Sequence, residues 1–208
     1  MSRGMNRLTV AILKLSAGLL LAALFTVSPQ VFGGDLAGTV TVRGVRSPEN
    51  VVIYFGEKLP ADQLPLPAEN PVMDQRKLTF IPHVMCVMKG TTVDFPNNDE
   101  VPHNVFSPSP VKKFNLGTYK VGVVKQVTFD KPGLVPLLCT IHPEMSAFIL
   151  VLETPHYAVT GKDGTYRISG IPAGSYKFKT WHEKLKPSVT QVEIPETGEA
   201  TLDLSLRR

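Results

Sequence analysis

Seven residues, Cys139-Thr140-Ile141-His142-Pro143-Glu144-Met145, hold a thiol, an imidazole and a thioether in the spacing Cys-x-x-His-x-x-Met. A thiolate and an imidazole are strong donors and a thioether is a weak one. Together they suit copper in both of its common oxidation states and describe most of a copper electron-transfer site, which needs one further imidazole. The upstream stretch Phe95-Pro96-Asn97-Asn98-Asp99-Glu100-Val101-Pro102-His103-Asn104-Val105 offers it in His103. His103, Cys139 and His142 would make a trigonal set, with Met145 as a long axial ligand. Pro102 restricts the backbone before one imidazole, and Pro143 fixes an angle directly after the other.

The segment Asn-Asn-x-x-x-Pro-His-Asn-Val and the later Cys-x-x-His-x-x-Met loop resemble those of the cupredoxins, in particular plastocyanin and amicyanin, with the short loop nearer the amicyanin pattern. The resemblance spans roughly Val72 to Leu152. It implies one type 1 copper, one-electron transfer, and a Greek-key β-barrel or sandwich. It also implies that the residue after the first histidine, here Asn104, ties the two ligand segments together. Such an outer contact orients ligands and tunes a potential.

These donors need strands to hold them, and the chain reads as all-β. Leu36–Gly44 and Asn50–Gly56 carry β-branched residues bounded by glycine. In Thr91–Phe95, Val93 and Phe95 share a face, and Gly90 before them suits a hairpin turn. Ser107–Gly122, with Pro108, Pro110, Gly117 and Gly122, reads as a loop. Val123–Phe129 alternates, Asp130-Lys131-Pro132-Gly133 is a turn, and Leu134–Cys139 is a strand ending at the ligand loop. Ala147–Leu152 is a continuous apolar run that suits a central strand.

The last fifty residues change character. Tyr157–Ile168 reads as a hairpin about Asp163-Gly164, and Gly170–Tyr176 as a second turn into the alternating Tyr176, Phe178 and Thr180. This tail resembles the later strands of the carboxypeptidase regulatory-like, transthyretin-like β-sandwich, whose opening strands resemble Gly38–Phe55. About 54 residues of tail alone make a marginal core. The expected organisation is therefore a discontinuous sandwich from 36–60 and 155–208, a linker at 61–71, and a cupredoxin domain at 72–154 inserted between its halves. The alternative is that the first two strands extend the cupredoxin sheet.

Residues 1–33 read as an export signal. Arg3 and Arg7 form a positive start, Leu15–Val27 is apolar, and Val31-Phe32-Gly33 suits cleavage after Gly33. Lys14 cuts the apolar run short of a membrane span. The expected destination is the periplasm or the exterior, with the membrane involved only if the segment is retained. Setting aside Arg3, Arg7 and Lys14 from the 22 basic residues leaves 19 against 18 acids. A nearly neutral chain lends no support to a nucleic-acid role.

An oxidising compartment makes a Cys86–Cys139 disulfide the plain alternative for the two cysteines. Phe80, Met85 and Val87 would face inward and Cys86 the other way, and a disulfide leaves His142 and Met145 unexplained. His83 reads as a surface residue or one that supports the ligands, His156 as structural, and His182 as an interdomain hydrogen bond or a residue lining the edge of the copper domain. Met73, Met85 and Met88 read as core packing. Lys112, Lys113, Lys120 and Lys125 form a solvated run that could steer an acidic redox partner. The leading reading is a carrier of single electrons between a redox donor and acceptor, with no substrate turned over. A copper-trafficking protein and a metal-free interaction module are the alternatives.

Overall fold

The computed structural model describes residues 33–56 and 66–208. The expected signal segment, apart from Gly33, residues 57–60 of the expected sandwich and 61–65 of the expected linker lie outside these residues. Among the described residues there are seventeen strands and no helix.

Two strands come first, β1 (Gly33–Arg43) and β2 (Val52–Phe55). Then follow β3 (Asp74–Arg76), β4 (Thr79–Ile81), β5 (Val84–Met88), β6 (Thr92–Pro96), β7 (His103–Ser107), β8 (Phe114–Tyr119), β9 (Val124–Thr128), β10 (Gly133–Leu138) and β11 (Ser146–Leu152). These nine build a central lobe from a five-stranded sheet, β5-β11-β10-β7-β8, a ribbon of β6 and β9, and the short pair β3-β4. The sheets pack face to face and do not close, so the lobe is an open sandwich and not the barrel that was one expected form. Its core includes Phe80, Phe95, Phe129, Leu137 and Ile149, all fully buried.

The last six strands are β12 (Tyr157–Val159), β13 (Thr165–Pro172), β14 (Gly174–Trp181), β15 (Val189–Ile194), β16 (Glu199–Thr201) and β17 (Leu204–Arg207). They combine with β1 and β2 into an outer lobe. β1 lies beside β13 and pairs in parallel with β16 and then β17. β2 lies between β12 and β14. The core between the two sheets holds Leu36, Val51, Ile53, Ile171 and Phe178.

A third apolar cluster joins the lobes. Val84, Cys86, Leu150 and Leu152 project from β5 and β11, away from the central core, against Val52, Tyr54, Tyr157 and Trp181. Both faces of β5 and β11 are thus buried. That is why their sequences run apolar without a break, in place of the alternation of a half-exposed strand.

Three local expectations are corrected. Ser107–Gly122 contains a strand, β8. Phe114 and Leu116 pack on the central core and Tyr119 is buried. Gly117, at φ +66°, breaks the alternation between them, and that break hides the strand. The turn at Gly90 is real (φ +93°, Thr91 N–H donating to Met88 O at 3.0 Å), but β5 pairs with β11 and β6 with β9. The Asp163-Gly164 turn likewise links β12 and β13, which lie in different sheets. Each is a corner between sheets, not a hairpin.

Candidate metal centre

β10 runs between β11 and β7 in the middle of the five-stranded sheet. Cys139 stands just past its end. Leu138 pairs with Ser146 at the start of β11, so residues 139–145 form a short loop between two hydrogen-bonded neighbours. The loop is tightened by Met145 N–H donating to His142 O at 3.0 Å. His103 opens β7, whose backbone there pairs with Tyr119 on β8. The approach to His103 is organised by buried Asn97. Its Nδ2 donates to Val101 O (2.9 Å) and Tyr119 O (3.2 Å), and its Oδ1 accepts from Asp99 N–H (3.0 Å).

This arrangement brings His103, Cys139 and His142 together. One donor atom from each lies within 4.8 Å of the others. His103 and Cys139 are buried, at 0% and 4% exposure, while His142 is half-buried and reaches the surface. Met145 is buried at 1% in the same apolar core as Cys139.

The two imidazoles present Nδ1 to Nδ1 at 3.0 Å. On the far side of its ring, His103 Nε2 is 2.8 Å from Asp99 Oδ2. A carboxylate oxygen accepts, so Nε2 carries the proton and Nδ1 offers a lone pair toward His142. Metal–imidazole bonds of about 2.0–2.1 Å at an angle of about 95–110° put two such nitrogens about 3.0–3.4 Å apart. The observed spacing fits two nitrogens that share one cation. The donor set of two imidazoles, one thiol and one thioether fits copper.

Partial burial acts to raise the Asp99 carboxyl. Hydrogen bonds from Leu78 N–H, the His103 ring and Glu100 N–H outweigh it and hold the group down at about 2. Asp99 is thus a fixed anion behind His103. Asn104, buried at 2%, accepts through Oδ1 from Thr140 Oγ1 (3.1 Å) and Thr140 N–H (3.4 Å), and donates through Nδ2 to Asn115 Oδ1 (2.8 Å). Its side chain therefore links β7 to the loop that carries Cys139 and His142.

No family model and no curated protein matches the chain. Solved structures that match part of the chain include a purple cupredoxin from Nitrosopumilus maritimus, at 22% identity and a TM-score of 0.37, covering 40% of this chain and all of that one. A reduced variant of amicyanin is 24% identical, with a TM-score of 0.39, over 48% of this chain and 98% of that one. A copper-containing nitrite reductase from Thermus scotoductus is 21% identical, with a TM-score of 0.40, over 55% of this chain and 28% of that one.

The other candidates separate clearly. Cys86 and Cys139 are both free thiols. Cys86 lies in the cluster between the lobes, and burial pushes its thiol up to about 12, which suits an inert packing residue. His156 rests its ring on Phe55, and His182 Nδ1 accepts from Lys184 N–H. Of the lysine run, Lys112 pairs with Asp130 at 2.7 Å, and Lys125 donates to Leu116 O while lying over the Tyr119 ring.

Two residues beside the site had no role in the sequence reading. Asp99 stands four positions before His103, a spacing available in the sequence. Tyr119, buried and hydrogen-bonded to Gln75 and to Phe95 O, backs His103 across the β7–β8 ladder. Burial first, with the Cys139 charge adding and Gln75 opposing, pushes its phenol up to about 12, so it stays a neutral donor.

Proposed function

We propose that the chain is an exported mononuclear type 1 copper protein that passes single electrons between a redox donor and an acceptor. The observation that carries this reading is the convergence of His103, Cys139 and His142 within 4.8 Å, with the two Nδ1 atoms 3.0 Å apart. His103, Cys139, His142 and Met145 would hold the metal, which supplies a one-electron couple when bound.

The protein's own residues account for the rest. Asp99 keeps the proton of His103 on Nε2. Asn104 ties the ligand loop to β7, and the sheet on either side of β10 holds Cys139 in place. A rigid donor set favours electron transfer because little has to move between oxidation states. His142 is the donor that reaches solvent. Ile141 (43% exposed) and Pro143 flank it in the sequence, and Val101 (37% exposed) and Pro102 directly precede His103. Exposed apolar residues next to both imidazoles suit brief contact with a partner protein, and electrons would enter and leave there.

A carrier role is favoured over catalysis because the proposed set fills the metal's positions with protein donors, whereas catalytic metals keep one open. Export to the periplasm or exterior belongs to the same reading, and an oxidising compartment is compatible with Cys139 held as a metal-bound thiolate.

The test is a visible spectrum of the chain loaded with Cu(II), beside Cys139→Ser. The expected result is an intense blue thiolate-to-copper band that a mild reductant bleaches and that is lost in the variant. A colourless protein that fails to retain copper would overturn the proposal.

A further inference from the structure

The backbone just after Met145 is gripped by a central-lobe residue that also touches the outer lobe. His83, just before β5, has its Nδ1 3.1 Å from Ser146 O, and its own carbonyl accepts from Phe148 N–H at 2.9 Å. A carbonyl only accepts, so Nδ1–H is the donor. Ser146 follows Met145 directly. The other ring nitrogen, Nε2, is 3.4 Å from Glu183 Oε1, which belongs to the outer lobe; a carboxylate also only accepts, so the second contact is a hydrogen bond when the ring carries both protons. Glu183 is itself held by Lys184 Nζ at 3.0 Å. The ring of His83 stands edge-on to Phe148 at 5.5 Å, and Phe148 packs against Trp181 of β14 at 5.2 Å. One imidazole therefore spans the two lobes, with one nitrogen on each.

We infer that His83 is a positioning residue through which the outer lobe, by way of Glu183, sets the backbone that presents Met145 to the metal. The inference rests on the copper reading above for its functional meaning, though not for its geometry. An axial thioether bond is long and weak, so its length follows small shifts of the backbone that carries it, and axial ligation tunes both spectrum and potential. His103 opens β7 and Cys139 follows β10, and the backbone pairing of those strands does not pass through His83, whereas His142 is joined to Met145 by Met145 N–H donating to His142 O. Loosening the clamp should therefore alter the Met145 ligand most and keep His103 and Cys139 in place.

The test uses the full chain with Glu183→Ala, which removes the outer-lobe anchor at a partly exposed site. Glu183→Gln keeps an acceptor oxygen. Glu199→Gln is the control: Glu199 pairs with Arg167 in the outer lobe, away from His83. Two readouts are taken. In the metal-free chain labelled at methionine methyl groups, Glu183→Ala should move the Met145 resonance, Glu183→Gln should largely restore it, and Glu199→Gln should leave it in place. In the Cu(II)-loaded chain, Glu183→Ala should keep the blue band but change the electron paramagnetic resonance rhombicity and the midpoint potential.

If Glu183→Ala superimposes on the wild type in the metal-free resonance, the inference is overturned. The same holds if Glu199→Gln shifts the resonance as far, since general loosening of the outer lobe would then be the cause. A wild-type chain that binds no copper, yet shows the Met145 shift in Glu183→Ala, would sink the copper reading and leave the clamp standing.

Discussion

At the scale of residues, the centre depends on which nitrogen of His103 carries its proton, and Asp99 decides that. In Asp99→Asn the anion behind the ring is lost. One amide hydrogen must also face Leu78 N–H, Glu100 N–H or the His103 ring, all of which now donate to the carboxylate. Outer contacts of this kind typically cost about 10–100-fold in metal affinity. The expected outcome for Asp99→Asn is a fall in copper affinity of about that size in a competition titration against a chelator, with the blue colour retained at saturation. The donors themselves were legible in the sequence because ligand chemistry fixes both residue type and close spacing in the Cys139–Met145 loop. Tyr119 and Gln75 were not. Their meaning lies in partners 16 to 44 residues away that only the β7–β8 ladder and the β3–β4 pair bring near His103.

At the scale of elements, β1 is the strand on which the outer lobe closes. Between its pairing with β16 (through Ala37) and with β17 (from Val40) stands Gly38, where a Cβ would lie 2.0 Å from Leu202 O. That carbonyl is fixed, since it accepts from Tyr166 Oη at 2.7 Å and its own N–H donates to Ala37 O at 2.9 Å. Gly38→Ala has to displace backbone on one side or the other. The expected destabilisation is about 1–3 kcal/mol, read as a lower denaturant midpoint with Trp181, the single tryptophan, as fluorescent reporter. An unchanged midpoint would show that β1 and the β16–β17 corner yield freely. The corners at Gly90 and Gly164 mark the limit of local reading. Glycine with positive φ signals that the chain turns back, but whether the two arms then pair depends on which sheet captures each. β5 found β11 and β12 found β2, and nothing within the turn residues specifies those partners.

At the scale of the whole molecule, the two lobes share an apolar seam that lies close to two histidines. Burial lowers His156 and His182 below the ordinary histidine range, with Ser169 opposing it at His156 and Glu183 at His182. The charged form is thus disfavoured in the folded state. Above a pH of about 6.5 both folded and unfolded rings are neutral and there is no penalty. As pH falls below that, the unfolded chain takes up protons more readily, and stability is lost. The melting temperature of the metal-free chain is expected to drop between pH 7.5 and pH 5, and the drop should be smaller in His156→Gln. An equal drop in the variant would assign the effect elsewhere. The all-β class was readable from strand-length patterns and turn residues. The two-sided burial of β5 and β11 was visible only as an unbroken apolar run, which tells of a covered strand and is silent on what covers it.

The pairing of β1 with β17 carries a consequence for the order of assembly. Val40 lies opposite Leu204 and Arg43 opposite Arg207, contacts of very high sequence separation, whereas every pairing within the central lobe joins residues of the 72–152 stretch. Closing a long loop is entropically costly, and high contact order slows folding. As the chain emerges, the central lobe has all its partners by Leu152, while the outer lobe must wait for its last strand. The donors would therefore be gathered while β1 still lacks its partner strands β13, β16 and β17, and the outer lobe would close afterwards against a central lobe already formed.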